Sequence, residues 1–162
     1  MLQRGNVRVM NQTELIQFLC EAKRHTYASG ANRVMGSRPN AQDFLYEKDE
    51  LKYIDTCLGT EQIVGEEAVW QDNQPIWGMN YTGRVVGEGY DPAFLLEALR
   101  RVKEDLPYRG PRFLELGEFT YKCRVEGDFD WFVGCEKILR KGVKVYEAMF
   151  QGGIIKKKLK SQ

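Results

Sequence analysis

The sequence predicts an α+β fold: a single twisted, mostly antiparallel sheet of about seven strands, in the order helix, four strands, helix, three strands, with both helices packed on one face. Three observations carry this. Two stretches have helical apolar spacing and capping residues at their starts. The segments between and after them are rich in β-branched and aromatic residues, in part with a period of two. Short turns of Gly, Asn, Asp and Pro separate those segments, and such turns join antiparallel neighbours.

The first helix is read in "NQTELIQFLCEAKRHTYAS". Asn11 is its cap and Glu14, three residues on, closes a capping box. Leu15, Phe18, Leu19 and Ala22 form the buried stripe, and Glu21, Lys23 and Arg24 lie off it. "SGANRVMGSRPNAQ" then reads as a long loop, a feature often functional in a small domain. "DFLYEKDELKYIDTCLG" reads as a hairpin turning at Glu47–Glu50. "EQIVGEEAVW" and "PIWGMNYTGRVV" give two more strands around the turn "DNQP". The second helix, in "YDPAFLLEALRRVKEDL", has Asp91 at the cap and Pro92 at its first position, with Phe94, Leu95, Ala98, Leu99 and Val102 inward and Pro107 as its stop. "PYRGPRFLELG" crosses to three last strands, "FTYKCRVEG", "DFDWFVGCEKILR" and "VKVYEAMFQGG", turning at Glu126-Gly127-Asp128 and at Lys141-Gly142.

With 162 residues the chain fits a single domain spanning 1–162, with 1–10 and 156–162 expected as loosely held termini. A 43% hydrophobic and 29% charged composition is that of a soluble globular protein. Lys and Arg number 24 against 23 Asp and Glu, so no global basic field points to nucleic acid. The basic end, "IIKKKLKSQ", reads as a solvated tail. No window has the roughly 20 apolar residues of a membrane span, and the start lacks a signal-peptide pattern. Cys20, Cys57, Cys123 and Cys135 form no C-x-x-C and no zinc-like set with the lone His25. The expectation is therefore free buried thiols, a cytoplasmic setting, and neither metal nor cofactor. P-loop, "GxSxG" and "HExxH" patterns are absent.

The candidate site residues are Glu66, Glu67, Trp70, Asn80, Arg84, Arg109 and Trp131. Strand alternation puts Trp77, Met79 and Tyr81 on one face and Asn80, Thr82 and Arg84 on the other. Glu66 or Glu67 could sit across from Arg84 as a cross-strand ion pair. Arg109, in the rigid turn "PYRGP", is either a bidentate clamp for an anion or a structural bridge. "FDWFVG" carries aromatic residues on both faces, which predicts a central strand covered on both sides and a curled sheet with an aromatic-lined concavity walled by Trp70, Trp77 and Trp131.

"SRPNAQDFLYEKDELKYIDTCLGTEQIVGEEAVWQDNQPIWGMNYTGRV", "PYRGP" and "GDFDWFVGCEKILRKGVKVYEAMFQGG" resemble a bacterial domain-of-unknown-function family, number 5680, roughly from Leu15 to Ile155. The resemblance brings no assigned activity and no site residues. It implies a histidine in many relatives where Gln151 stands here, so a chemistry using that histidine would be missing. It also implies relatives joined to a helix-turn-helix segment, which suits a sensor. This chain is expected to have no such segment before its first helix.

Three readings of function follow. The first is a small-molecule-binding or sensory module. The second is a small hydrolase-type enzyme using carboxylates. The third is an antitoxin-like or immunity-like interaction module using an exposed sheet face or edge. An unpaired edge would also allow a homodimer.

Overall fold

A computed structural model describes residues 10–29 and 33–157. The expected loose termini therefore fall mostly outside the described residues, as do residues 30–32 at the start of the loop after the first helix.

Helix α1 runs Gln12–Ser29 and α2 runs Pro92–Arg100. The capping box forms as the sequence predicts: the Glu14 amide donates to Asn11 Oδ1 at 2.9 Å, and the Asn11 amide donates to Glu14 at 3.2 Å. Asp91 caps α2 by accepting from the Ala93 amide at 2.9 Å. The strands are β1 (Arg33–Val34), β2 (Gln42–Lys48), β3 (Leu51–Gly59), β4 (Gln62–Gln71), β5 (Gln74–Val85), β6 (Phe113–Leu116), β7 (Phe119–Asp128), β8 (Trp131–Arg140) and β9 (Val143–Ile154).

The sheet has nine strands among the described residues, not about seven, in the order β1-β2-β3-β4-β5-β9-β8-β7-β6, and all its pairs are antiparallel. The two extra strands are the short edges, β1 and β6, of two and four residues. Neither is long enough to show a sequence period. Two meanders, β1–β5 and β6–β9, join where β5 pairs with β9, and α2 lies on the connection that carries the chain from the centre to the far edge.

Local chemistry sets the turns. Asp72 and Asn73 both have positive φ, at 48° and 62°, between paired Gln71 and Gln74, so this hairpin closes on two residues that tolerate the left-handed region. Lys141 and Gly142 do the same between β8 and β9. The turn before β8 is displaced from its expected place: β7 continues through Asp128, and Phe129–Asp130 form the connection.

The helices are not laid side by side on one sheet face as expected. They pack chiefly against each other, and their main strand contacts are at opposite ends of the sheet, α1 on β2 and α2 on β7. Between them the core is filled by Leu15, Phe18 and Leu19 of α1, Phe94, Leu95 and Leu99 of α2, and Trp77, Met79, Tyr81, Tyr121, Ile138 and Phe150 of the sheet. Helix α2 ends before Pro107, with Arg101 as its last cap. The chain from there to Pro111 brings Leu106, Tyr108 and Arg109 into the interior.

Candidate functional site

The sheet has two faces of opposite character. The buried face holds a network of charged groups. Lys23, expected on the wet side of α1, is only 1% exposed, and its ammonium bonds the carboxylate of Glu67 on β4 and the Tyr108 carbonyl, at 2.8 Å. Arg109 is 3% exposed; it donates to Glu136 on β8 at 2.7 and 3.2 Å and lies 3.6 Å from Glu67. Its guanidinium sits 4.8 Å from the centre of the Tyr81 ring. Tyr121 donates to the second oxygen of Glu136 at 2.5 Å and accepts from the Gly110 amide at 2.9 Å. These four charges cancel, which is the condition for keeping them out of water.

A fifth ionisable group, Asp55 on β3, lies directly opposite Glu67 in the ladder and accepts from Tyr81 at 2.7 Å. Burial, then the nearby Glu67 charge, pushes its carboxyl up to about 7. Below that pH Asp55 is neutral and leaves the network balanced. Gly65 makes the Tyr81 contact possible: Tyr81 is its register partner, and a Cβ at that glycine would lie 2.1 Å from the ring.

The open face carries two hollows. The larger, about 790 Å³, crosses β5, β9, β8 and β7 and is lined by Thr82, Arg84, Met149, Cys135, Lys122, Arg124, Lys137 and Lys144, among others. Its volume is in the range of small-molecule sites. Register builds its floor in rows: Thr82, Met149, Cys135 and Arg124 are successive partners, and so are Arg84, Glu147, Lys137 and Lys122. Glu147 is used twice, by Arg84 at 2.7 Å and by Lys144, and those two partners hold its carboxyl below the usual range. Arg124 pairs with Glu126 at 2.8 Å. Lys122 and Lys137 face each other across the β7–β8 ladder and have no ion-pair partner among the described residues. Opposed like charges cost a ladder some fraction of the ~0.2–1 kcal/mol that a favourable cross-strand pair contributes.

The smaller hollow, about 420 Å³, lies along the same face and is lined by Glu66, Asn80, Trp131, Val133, Gln151 and the glycines of β9. Trp131 is 80% exposed and Met149 is 67% exposed.

The sequence-predicted residues divide among these places. Glu66, Asn80 and Trp131 meet at the smaller hollow, and Arg84 lines the larger. Glu67 and Arg109 meet each other in the buried network. Trp70 is half-buried at the irregular end of the β4–β5 ladder, away from both hollows. Neither Glu66 nor Glu67 is opposite Arg84: they pair in register with Asn80 and Met79, and Arg84 faces Gln62 and Glu147. β8 is not covered on both sides, since Trp131 and Val133 stand on the open face while Phe132 is buried. The thiols also divide: Cys20 and Cys123 are buried, Cys57 is half-buried and Cys135 is exposed.

Sequence reading missed Lys122, Lys137, Met149 and Cys135 as a group. The signal for it lay in the alternation of "FTYKCRVEG", which puts Lys122 and Arg124 on one face, combined with the Lys141-Gly142 turn that fixes the next register.

No helix of the described residues is long and apolar enough to cross a membrane, and they contain no cluster of three or more metal-ligating side chains. Comparison with curated proteins finds no match, and comparison with solved structures finds none. The model of one family, a domain of unknown function (DUF5680), matches residues 55–155, a span holding β4 through β9 and both hollows, and the chain belongs to that family.

Proposed function

We propose that this protein is a small-molecule-binding module whose working surface is the open face of its sheet. The observation that carries this reading is the hollow of about 790 Å³ across β5, β9, β8 and β7. Neither helix contributes a residue to its lining, which comes from the strands and the residues between them alone. The lining is also not that of an ordinary solvated face, since Met149 and Cys135 are exposed on its floor.

The expected aromatic wall is not what lines this hollow. Its polar groups are cations, and the exposed tryptophan, Trp131, belongs to the neighbouring hollow with Asn80, Gln151 and Glu66. The carboxylate-hydrolase reading has less support. Asp55 and Glu67 do converge, but both are buried in the balanced network and neither hollow is lined by them. The interaction-module reading is favoured by one observation, the run of exposed apolar side chains Val64, Met149, Val133 and Trp131 on one sheet face.

A thermal-shift screen against a metabolite panel tests the main reading, with Thr82→Trp as the variant that fills the hollow. At least one compound class should raise the melting temperature of the parent protein and fail to do so in the variant. Ligand-induced shifts that persist unchanged in Thr82→Trp, or no shift with any class, would contradict it.

A further inference from the structure

We infer that the ligand of the larger hollow carries a phosphoryl-type dianion, seated between Lys122 and Lys137. This deepens the binding-module reading and rests on it.

Five cations line this hollow: Arg84, Lys122, Arg124, Lys137 and Lys144. Two carboxylates belong to its lining, but only Glu147 presents its charge there. The other, Glu136, turns its side chain through to Arg109 on the buried face. Glu147 is already shared between Arg84 and Lys144. The remaining positive charge is concentrated at Lys122 and Lys137, which are directly opposed in the β7–β8 ladder.

A folded protein gains nothing by opposing two unpaired ammonium groups, and a solvated face would more commonly alternate the signs. A dianion between the two converts the repulsion into two charge-assisted contacts. Three oxygens of a phosphate monoester suit three-donor ammonium groups, and the Arg124 guanidinium lies in the adjacent row on the same strand. The Met149 and Cys135 side chains beside them give the rest of the ligand an apolar surface. The open hollow is large enough for a phosphorylated metabolite, and a chain whose charges nearly cancel has no general attraction for a polyanion.

The test uses the full chain and inorganic pyrophosphate as the probe, by calorimetry and thermal unfolding, against sodium chloride at matched ionic strength. Pyrophosphate should bind. Lys122→Gln and Lys137→Gln should each weaken it by about tenfold or more, as expected for loss of one contact to a charged group. Lys52→Gln, at a pair with Glu47 elsewhere on the sheet, should leave it unchanged. Without ligand, Lys122→Gln should melt at or above the parent temperature, so the loss of binding is not a loss of fold.

Other results separate the two proposals. Neutral metabolites that stabilise the parent but not Thr82→Trp, with no effect of pyrophosphate, would overturn the dianion and leave the module standing. No effect of any compound would overturn both. Tight binding of a short single-stranded oligonucleotide with the same lysine dependence, and none of pyrophosphate, would overturn a small-molecule ligand in favour of a nucleic-acid strand.

Discussion

The two faces of this sheet use charge in opposite ways. On the buried face Lys23, Glu67, Arg109 and Glu136 are fully desolvated and cancel, and each is held by at least one partner. On the open face Lys122 and Lys137 are solvated, like in sign and opposed. Burial makes an unpaired charge expensive, so the inner set had to be closed by the fold itself. Exposure makes it inexpensive, so the outer set can be left open for something else. Proximity of charged residues is therefore no guide to function here. The closed cluster is the buried one, and the open one is where a ligand is proposed.

The largest expected effect comes from breaking the inner set. Arg109→Ala leaves Glu136 and Glu67 buried without that cation, and should cost about 3–5 kcal/mol in urea unfolding. A loss under ~1 kcal/mol would mean that the network is not closed as described. Joint replacement by Arg109→Met and Glu136→Leu should recover most of the loss, because a packed apolar pair can replace a buried ion pair.

Next in size is Gly65→Ala. Its Cβ would enter the Tyr81 ring, so Tyr81 must move off Asp55, at a cost of about 1–3 kcal/mol by the same measurement.

Much of the frame on which these residues sit was legible in the sequence. Asn11 with Glu14, and Asp91 with Pro92, announce the two helix starts by residue type alone. Asp72-Asn73 and Lys141-Gly142 announce hairpins because few residues accept positive φ. The inner network was not legible. Lys23 looks solvent-facing from its own helix, and only a carboxylate 44 residues away allows it to be buried. β8 misled for a related reason. Trp131 and Phe132 are both aromatic, and composition cannot show that one is covered and the other bare. The larger hollow arises from the register of four strands, β5, β9, β8 and β7, and no local pattern contains it.

A pH dependence sharpens the contrast at intermediate size. Asp55 has its folded pKa raised to about 7, so between the ordinary carboxylate value near 3.8 and about 7 the folded state binds more protons than the unfolded state. Its contribution is complete at low pH and is lost as pH rises through that window. Asp55→Asn keeps the oxygen that Tyr81 bonds and cannot ionise. Relative to the parent, it should gain several degrees in melting temperature between pH 5 and pH 8, at roughly 2–4 °C per kcal/mol for a chain of this size. A constant difference across that range would contradict a neutral buried Asp55.

The smallest effects belong to the open face. Trp131→Ala should change unfolding free energy by no more than about 0.5 kcal/mol, since its ring is mostly in water. A larger loss would place Trp131 in the fold rather than on the binding surface.

The most direct measurement is thermal unfolding of Lys122→Gln beside the parent protein, with and without pyrophosphate. Without it, the variant should melt at the parent temperature or slightly above, because one of two opposed cations is gone. With it, the parent should rise and the variant should not. A variant that melts well below the parent, or that gains as much from pyrophosphate as the parent does, would contradict the assignment of the open face as the binding surface for an anionic ligand.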